Sequence, residues 1–196
     1  EDVLASRMIA DPLHLLDCSL VSDGGSAIIM TSAERARDFP HDPVYLLGAG
    51  EGHSHEHISQ AHDLTTSAAR ESGARAYAMA GVGPGDMDLA QLYDCFTPTV
   101  LVELEDLGFC DKGEGGAFAE SGALRPGGSL PVNTHGGLLS HCHPGNPGSM
   151  FALTESVWQL HHTAGERQVA DAELALVHAQ GGIMSSHTTL ILGRDR

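Results

Sequence analysis

The hydrophobic positions of the chain fall into short apolar runs that are separated by longer stretches with helical spacing. The short runs are bounded by turn-forming residues, which is typical of buried strands. They predict strands at residues 26–31, 44–48, 88–93, 173–178 and 187–192.

A second set of positions repeats with the period of an α-helix. Apolar and small residues predict one helix over 62–80, with Asp63 as its N-cap, and another over 150–161. Between them, Thr97 is placed to cap a helix that ends at Gly108. Strands that alternate with helices predict an α/β layered domain with a buried mixed sheet.

Three stretches interrupt this alternation. Residues 39–43 (Phe-Pro-His-Asp-Pro) form a break and the best internal boundary. Residues 110–132 are rich in glycine and show no core pattern, and residues 133–148 are dense in glycine and proline, which argues against a helix or strand there. The last stretch holds three histidines and opens onto a helix. This favours acid–base chemistry on an anion, although an ordinary surface loop is the alternative.

Composition narrows the class of protein. The formal net charge is −16, with Lys112 as the single lysine, which argues against binding to nucleic acid or to anionic membrane surfaces. No apolar run approaches the length of about 18 residues that a membrane helix needs. Four cysteines without CxxC spacing predict reduced thiols and a cytoplasmic protein. His53, His55 and His57 alternate, so on a strand they could meet one zinc ion.

Four segments resemble, in order, motifs of one known family. They are Ser22–Ala27 (Ser-Asp-Gly-Gly-Ser-Ala), Tyr93–Thr97 (Tyr-Asp-Cys-Phe-Thr), Asn133–Pro144 and Leu176–Gly181. The family is the thiolase superfamily, and the segments are most similar to the C-terminal half of its sterol-carrier-protein-2 or lipid-transfer-protein branch. The resemblance implies a layered α/β/α domain with a mixed five-stranded sheet.

The resemblance also implies a division of the chain and the presence of further components. Residues 1–42 would be the last strand and linker of the N-terminal thiolase domain, and residues 43–196 the C-terminal domain. Thiolases make or break carbon–carbon bonds beside a coenzyme A thioester, with a cysteine nucleophile from the N-terminal half. None of the four cysteines lies in that motif, so half of an active site is expected, completed by an N-terminal half on the same or a separate chain.

The same resemblance implies an acyl-CoA substrate, a homo-oligomer and, in this branch, a small zinc-ribbon/OB-fold partner protein. No metal is expected, because the family has no catalytic metal. The histidines at 53–57 are then interpreted as part of a polar loop at the acyl-CoA entrance.

Motif positions give the catalytic candidates. His143 matches a histidine that takes the nucleophile's proton and then donates to the thioester oxygen. His178 stands where common thiolases have a second acid–base cysteine, although a buried structural histidine fits equally. Tyr93 replaces a His or Asn that binds the thioester oxygen through water, with a packed aromatic as the alternative. Cys142, beside His143, could be an activated thiolate, but adjacent loop residues usually point apart.

The remaining motif positions are expected to contact the substrate. Gln180 and Gly181 are candidates to supply a backbone N–H to an oxyanion hole, and Asn133 and His135 are candidate substrate-binding residues. Three functions stay open. The chain could be part of a thiolase-like acyltransferase, of a retro-aldolase acting on a β-hydroxyacyl-CoA such as a steroid side chain, which Tyr93 suits, or of a non-catalytic acyl-CoA- or lipid-binding subunit.

Overall fold

The structure is a computed structural model that describes residues 1–194. The helices are α1 (Asp2–Ala5), α2 (Ala69–Ala80), α3 (Thr97–Asp106), α4 (Gly115–Glu120), α5 (Gly137–Ser140) and α6 (Gly148–Leu160). The strands are β1 (Met8–Ala10), β2 (Leu13–His14), β3 (Tyr45–His53), β4 (Leu89–Gln91), β5 (Leu174–Gly181) and β6 (Ser186–Gly193).

The main sheet has four strands in the described residues, in the order β3-β6-β5-β4. β6 is antiparallel to both of its neighbours, whereas β4 runs parallel to β5. The sheet is therefore mixed, as the sequence predicts. The predicted fifth strand is absent, because residues 26–31 form no strand.

Helices cover both faces of the sheet, which confirms the predicted α/β/α layering. On one face, Ala90, Leu176 and Ile191 pack with residues of α2 and α3. On the other face, Leu89 and Ala175 pack against α6. Residues 89 and 90, like 175 and 176, alternate between the two cores because successive side chains of a strand point to opposite faces.

Three glycines let α2 lie directly on β3. Gly48, Gly50 and Gly52 recur at every second position of the strand, so they share one face. A Cβ atom at any of them would overlap a backbone carbonyl of α2 or of its N-cap. The glycine repeat is thus explained by close helix–strand packing.

The N-terminal segment, residues 1–44, has little packing of its own. β1 and β2 form a separate two-stranded sheet, and the residues that follow contain two short 3₁₀ helices, Leu15–Asp17 and Arg35–Asp38. The apolar run at 26–31 has no strand partner in the described chain, and Ile29 is 85% exposed. Other large apolar side chains of this segment are also exposed: Leu4, Met8, Ile9, Leu16, Leu20, Val21 and Met30.

Two further predictions are wrong in detail. The helix predicted over 62–80 begins only at Ala69, and Asp63 accepts the backbone N–H and the hydroxyl of Thr65 instead of capping it. The residues just before α2 are held in a non-helical path because Asp106 accepts the N–H of Ser67 at 2.6 Å. The stretch 110–132, predicted to lack a core pattern, forms α4 and buries side chains against the first core: Phe118, Leu124 and Leu130.

Between residues 1 and 194, no helix is both long and apolar enough to cross a lipid bilayer. The proposed boundary between residues 42 and 43 falls just before β3 and stays a prediction.

Candidate active site

The centre of the candidate site is a contact between a phenol and an imidazole. Tyr93 lies just after β4, and His143 lies in the loop that precedes α6. Tyr93 Oη is 3.1 Å from His143 Nε2, and the two rings meet edge to face. Burial raises the pKa of Tyr93, and nearby acidic groups raise it further. The phenol is therefore protonated and can donate a hydrogen bond to His143 Nε2 when that nitrogen is the unprotonated one.

Two serines of the N-terminal segment hold His143 from the other side. Ser19 Oγ is 2.7 Å from His143 Nδ1, and Ser22 Oγ accepts the backbone N–H of His143 at 2.8 Å. Because Nε2 accepts from Tyr93, Nδ1 carries the ring proton and donates it to Ser19. The serine is itself fixed, since its N–H donates to the carbonyl of Cys95 at 2.9 Å.

Asp94 fixes the loop that carries His143. Its carboxylate accepts the backbone N–H of Leu138 at 2.7 Å and that of Leu139 at 3.4 Å. These N–H groups belong to α5, so the expectation of no regular structure in 133–148 is wrong by one short helix. Gly137 is needed there, because it has a φ of 64° and a Cβ atom would overlap the Asp94 carboxylate.

A small cavity of about 10 Å³ adjoins the pair. Tyr93, Asp94, His135 and His178 line it, together with residues of α5 and α6. This volume accommodates about one water molecule. Three of the predicted site residues, Tyr93, His135 and His178, are thus brought to one place.

Asn133 and His135 hold the loop against β4. Asn133 Oδ1 accepts the N–H of Leu92 at 2.7 Å, and its φ of 50° is one that asparagine tolerates. His135 Nδ1 is 3.0 Å from Gln91 Oε1. Burial lowers the pKa of His135 to about 4, so the ring is neutral at pH 7. Their predicted contact with the substrate stays a prediction.

His178 belongs to a second group of polar side chains, which we call the buried histidine cluster and define as Glu103, His178 and His187. The Nε2 atom of His178 is 3.0 Å from Nδ1 of His187, and its Nδ1 atom is 2.9 Å from Thr189 Oγ1. Glu103 Oε1 lies 3.8 Å from His178 Nε2. All three members of the cluster are fully buried.

Burial also controls the protonation of the cluster. It lowers the pKa of His178 well below its ordinary range, and it lowers the pKa of His187. It raises the pKa of Glu103 well above the ordinary range, despite an N–H donated by Tyr93. Both ring nitrogens of His178 are engaged, so its predicted acid–base role stays a prediction.

Gln180 and Gly181 lie where β5 turns towards β6. Neither lines the cavity, as far as the described residues define it. Gln180 Oε1 is buried and has no hydrogen-bond partner among residues 1–194. The predicted oxyanion hole at these two residues stays a prediction.

The exposed histidines do not assemble a metal site. His53 Nε2 lies 3.9 Å from a Glu51 oxygen, whereas His55 Nε2 lies 3.3 Å from the carbonyl of Ile183. Within the described chain, the ligand atoms of His53, His55 and His57 do not converge within reach of one ion.

The cysteines near the site contact hydroxyl and carbonyl groups. Cys142 Sγ contacts Ser22 Oγ at 3.3 Å and the carbonyl of Asp23 at 3.6 Å, so its described contacts are with these groups and not with the imidazole beside it. Burial raises the pKa of Cys95, which keeps that thiol protonated.

The family follows from comparison with known proteins. Residues 50–194 match the family model described as thiolase C-terminal domain-like. The chain belongs to this family. The predicted resemblance to the C-terminal half of the thiolases is therefore confirmed.

Individual relatives of this thiolase-like domain carry names from two chemistries. An acetyl-CoA acetyltransferase of Methanothermobacter thermautotrophicus is 40% identical over 195 residues, which are 99% of this chain and 51% of the relative. A steroid side-chain-cleaving aldolase of Thermomonospora curvata is 42% identical over 205 residues, covering 100% of this chain and 50% of the relative. The solved structure of an Ltp2-ChsH2(DUF35) aldolase superposes with a TM-score of 0.91 at 41% identity, covering 100% of this chain and 51% of that one.

The chain therefore spans about half the length of these relatives.

Sequence reasoning placed Tyr93 and His143 of the thiolase-like domain in one site, but it missed residues that hold them. Ser22 and Asp94 lie inside the family motifs at 22–27 and 93–97, so their motif positions were the available signal. His187 and Glu103 lie outside every motif, and only the sheet register and the packing of α3 reveal them.

Proposed function

We propose that this chain supplies the acid–base half of an active site that cleaves a carbon–carbon bond beside a coenzyme A thioester, by retro-aldol cleavage of a β-hydroxyacyl-CoA. The observation that carries the proposal is the hydrogen bond of 3.1 Å between Tyr93 Oη and His143 Nε2. It joins a hydroxyl that can meet the substrate to an imidazole that can take a proton.

The reaction needs a base for the β-hydroxyl group. The substrate hydroxyl gives its proton to Tyr93 Oη while the phenol proton passes to His143 Nε2. The O–H electrons form the new carbonyl, the Cα–Cβ bond breaks, and its electrons move to the thioester oxygen as an enolate. The proton held by His143 then returns through Tyr93 to Cα of the enolate, which releases the shortened acyl-CoA and a ketone or aldehyde and restores both side chains.

The second nitrogen of His143 supports this step. Its Nδ1–H donates to Ser19 Oγ at 2.7 Å, which leaves Nε2 as the acceptor that faces Tyr93. An imidazolium that forms transiently keeps this hydrogen bond and gains from it, because hydrogen bonds from charged donors are stronger.

The names of the relatives support an aldolase and also support a second candidate function. The Thermomonospora curvata relative and the Ltp2-ChsH2(DUF35) structure are named aldolases, whereas the Methanothermobacter relative is named an acetyltransferase. The second candidate is thus a thiolase-like acyltransferase, in which His143 would serve a cysteine nucleophile outside this chain. The third, a non-catalytic acyl-CoA-binding subunit, predicts binding without turnover.

The exposed apolar side chains at the N-terminal segment support a further component. A surface with Val21 and Ile29 in water is typical of an interface that is covered in the assembly. We propose that the remaining half of a thiolase fold, on the same or a separate chain, covers it, and that the assembly is a homo-oligomer. A zinc-ribbon/OB-fold partner is part of the same proposal, supported by the Ltp2-ChsH2(DUF35) aldolase, whose name joins two components.

The test compares Tyr93→Phe with the wild type in two assays on the complete enzyme. One assay follows cleavage of a β-hydroxyacyl-CoA, and the other follows thiolysis of a β-ketoacyl-CoA. For an aldolase, Tyr93→Phe lowers kcat by about 10²- to 10⁴-fold in the first assay, which is the usual contribution of a proton-transferring group.

Other outcomes assign the alternatives. Thiolysis by the wild type, weakened only slightly by Tyr93→Phe, would identify the acyltransferase. Acyl-CoA binding without turnover in either assay, unchanged by His143→Ala, would identify a binding subunit.

A further inference from the structure

Three metal-binding side chains converge in the buried histidine cluster. Glu103 comes from α3, His178 from β5 and His187 from β6, so the packing of α3 on the sheet brings them together. One atom from each, either a ring nitrogen or a carboxylate oxygen, lies within 4.8 Å of the other two. His178 Nε2 is 3.0 Å from His187 Nδ1 and 3.8 Å from Glu103 Oε1.

The carboxylate of Glu103 is only half satisfied. Its Oε2 atom accepts the N–H of Tyr93 at 3.0 Å, but Oε1 is buried with no hydrogen-bond partner among residues 1–194. An unpaired carboxylate oxygen in the interior is costly unless a positive group or a donor meets it. The unpaired oxygen points into the space beside His178 Nε2.

The outer nitrogens of both histidines are held by hydrogen bonds. His187 Nε2 donates to the carbonyl of Met184 at 3.1 Å, and His178 Nδ1 is 2.9 Å from Thr189 Oγ1. Histidines that bind metals have this arrangement, in which one nitrogen holds a carbonyl or hydroxyl and the other faces the ion. These contacts leave His178 Nε2 and His187 Nδ1 facing each other, with Glu103 Oε1 3.8 Å from His178 Nε2.

The hydroxyl chain behind His178 favours the same arrangement. Ser72 Oγ donates to the carbonyl of Ala69 at 3.1 Å and is also 2.8 Å from Thr189 Oγ1. If Ser72 keeps its bond to Ala69, Thr189 donates to Ser72 and accepts from His178 Nδ1–H. His178 Nε2 then presents a lone pair to a second lone pair, on His187 Nδ1, and a cation that both nitrogens bind, to one side of the line that joins them, resolves the conflict.

We propose that Glu103, His178 and His187 bind one divalent transition-metal ion, with Zn²⁺ as the first choice. Two imidazole nitrogens and one carboxylate oxygen are a known ligand set for this ion. Zinc bond lengths of about 2.0–2.2 Å place tetrahedral ligand atoms roughly 3.3 Å apart. The observed separations of 3.0 Å and 3.8 Å lie on either side of this value.

One member of the cluster, His178, borders the cavity next to Tyr93. His178 lines the cavity of about 10 Å³ that also reaches Tyr93, and this volume suits one water molecule. The proposed ion takes no part in the proposed carbon–carbon cleavage, although Glu103 also accepts the backbone N–H of Tyr93 at 3.0 Å.

The first experiment measures metal binding by the protein as it is purified with its accompanying subunits. Metal is removed with a chelator, Zn²⁺ or Co²⁺ is titrated back, and bound metal is counted by mass spectrometry. We expect one tightly bound equivalent per chain in the wild type. The variant Glu103→Gln keeps the size of the side chain but loses its charge, and it should weaken binding by about 100-fold or more.

A matched control separates this site from the exposed histidines. The triple variant His53→Gln/His55→Gln/His57→Gln removes three surface imidazoles and leaves the cluster intact. It should keep the tight equivalent, and loss of that equivalent in this variant alone would overturn the proposal. Equal metal content in wild type and Glu103→Gln would overturn it as well.

A measurement on the wild type keeps the proposal testable if Glu103→Gln fails to fold. X-ray absorption of the Zn²⁺ complex should show two imidazole ligands and oxygen neighbours, and Co²⁺ should give the intense visible bands of a four-coordinate site. A shell with sulfur, a shell of water alone, or no stoichiometric metal would instead assign the cluster to a metal-free hydrogen-bond network with a protonated Glu103.

Discussion

Two histidines of this domain have hydroxyl partners on one side and a second ring on the other, yet they lie in opposite environments. His143 is half-buried in a loop, between Ser19 and Tyr93. His178 is fully buried on β5, between Thr189 and His187. The contacts are similar in kind, so the difference in function that we propose comes from burial and from access to substrate.

Burial decides which chemistry each histidine can perform. A half-buried imidazole can accept a proton from a neighbouring phenol because water and neighbours can stabilise the charge. The interior disfavours a charged imidazole, as the lowered pKa of His178 indicates. The first environment suits proton transfer, whereas the second suits a neutral ligand or a structural network.

The largest expected effect is on catalysis at the half-buried site. We expect His143→Ala to lower kcat by about 10²- to 10⁴-fold, because Tyr93 loses its proton acceptor. Stability should change little, since the ring has one hydroxyl and one phenol as partners. Steady-state kinetics and thermal unfolding on the same preparation check this, with the exposed His53→Ala as a control. A large loss of stability without loss of kcat would contradict this prediction, because His143 would then have a structural role like that of His178.

The reverse result is expected at the buried site. His187→Ala removes a fully buried ring and leaves His178 Nε2 facing a cavity, so it should cost about 2–4 kcal/mol of unfolding free energy. The matched control is Thr188→Ala, one residue along the same strand on the other face. Urea unfolding in the presence of a chelator measures both. Equal effects of the two substitutions would show that the cluster contributes nothing specific.

The two sites also differ in how much of them could be predicted from the sequence. The motifs around Tyr93 and His143 lie in loops, and their resemblance to the motifs of the family predicted this candidate site. The buried cluster depends on the register of β5 with β6 and on the position of α3, and hydrophobic periodicity contains neither. Hydrophobic periodicity does report single strands, and the four strands of the main sheet were predicted correctly. It does not report pairing, so the run at 26–31 resembles a strand but has no partner in the described chain.

A smaller effect is expected from a third histidine, which lies between the two environments. Burial lowers the pKa of His135 from 6.5 to about 4, so the folded state resists a proton that the unfolded state accepts. Stability should fall as the pH falls from about 6.5 towards 4, with a contribution of about 2 kcal/mol between pH 7 and 5.

The variant His135→Asn isolates this contribution. It keeps a donor for Gln91 Oε1 but cannot titrate. Unfolding free energies are measured at pH 7 and at pH 5 for both proteins. The stability lost between these pH values should be about 2 kcal/mol smaller in the variant than in the wild type. An unchanged difference between the two pH values would show that His135 is protonated as easily in the folded protein as in the unfolded chain.

The smallest expected effect tests whether the orientation of His143 depends on the N-terminal segment. Ser19→Ala removes the acceptor of Nδ1–H at 2.7 Å and leaves the Tyr93 contact in place. One hydrogen bond to a group that becomes charged contributes about 1.5 kcal/mol, so kcat should fall about tenfold. KM should stay the same, because Ser19 acts through the imidazole and does not need to touch the substrate.

Ser22→Ala is the matched comparison, since Ser22 accepts only the backbone N–H of the histidine and leaves the ring tautomer unchanged. A smaller loss of kcat in Ser22→Ala than in Ser19→Ala would establish that the ring proton, and not only the position of the loop, sets the rate. Equal losses would instead make both serines simple anchors of the loop.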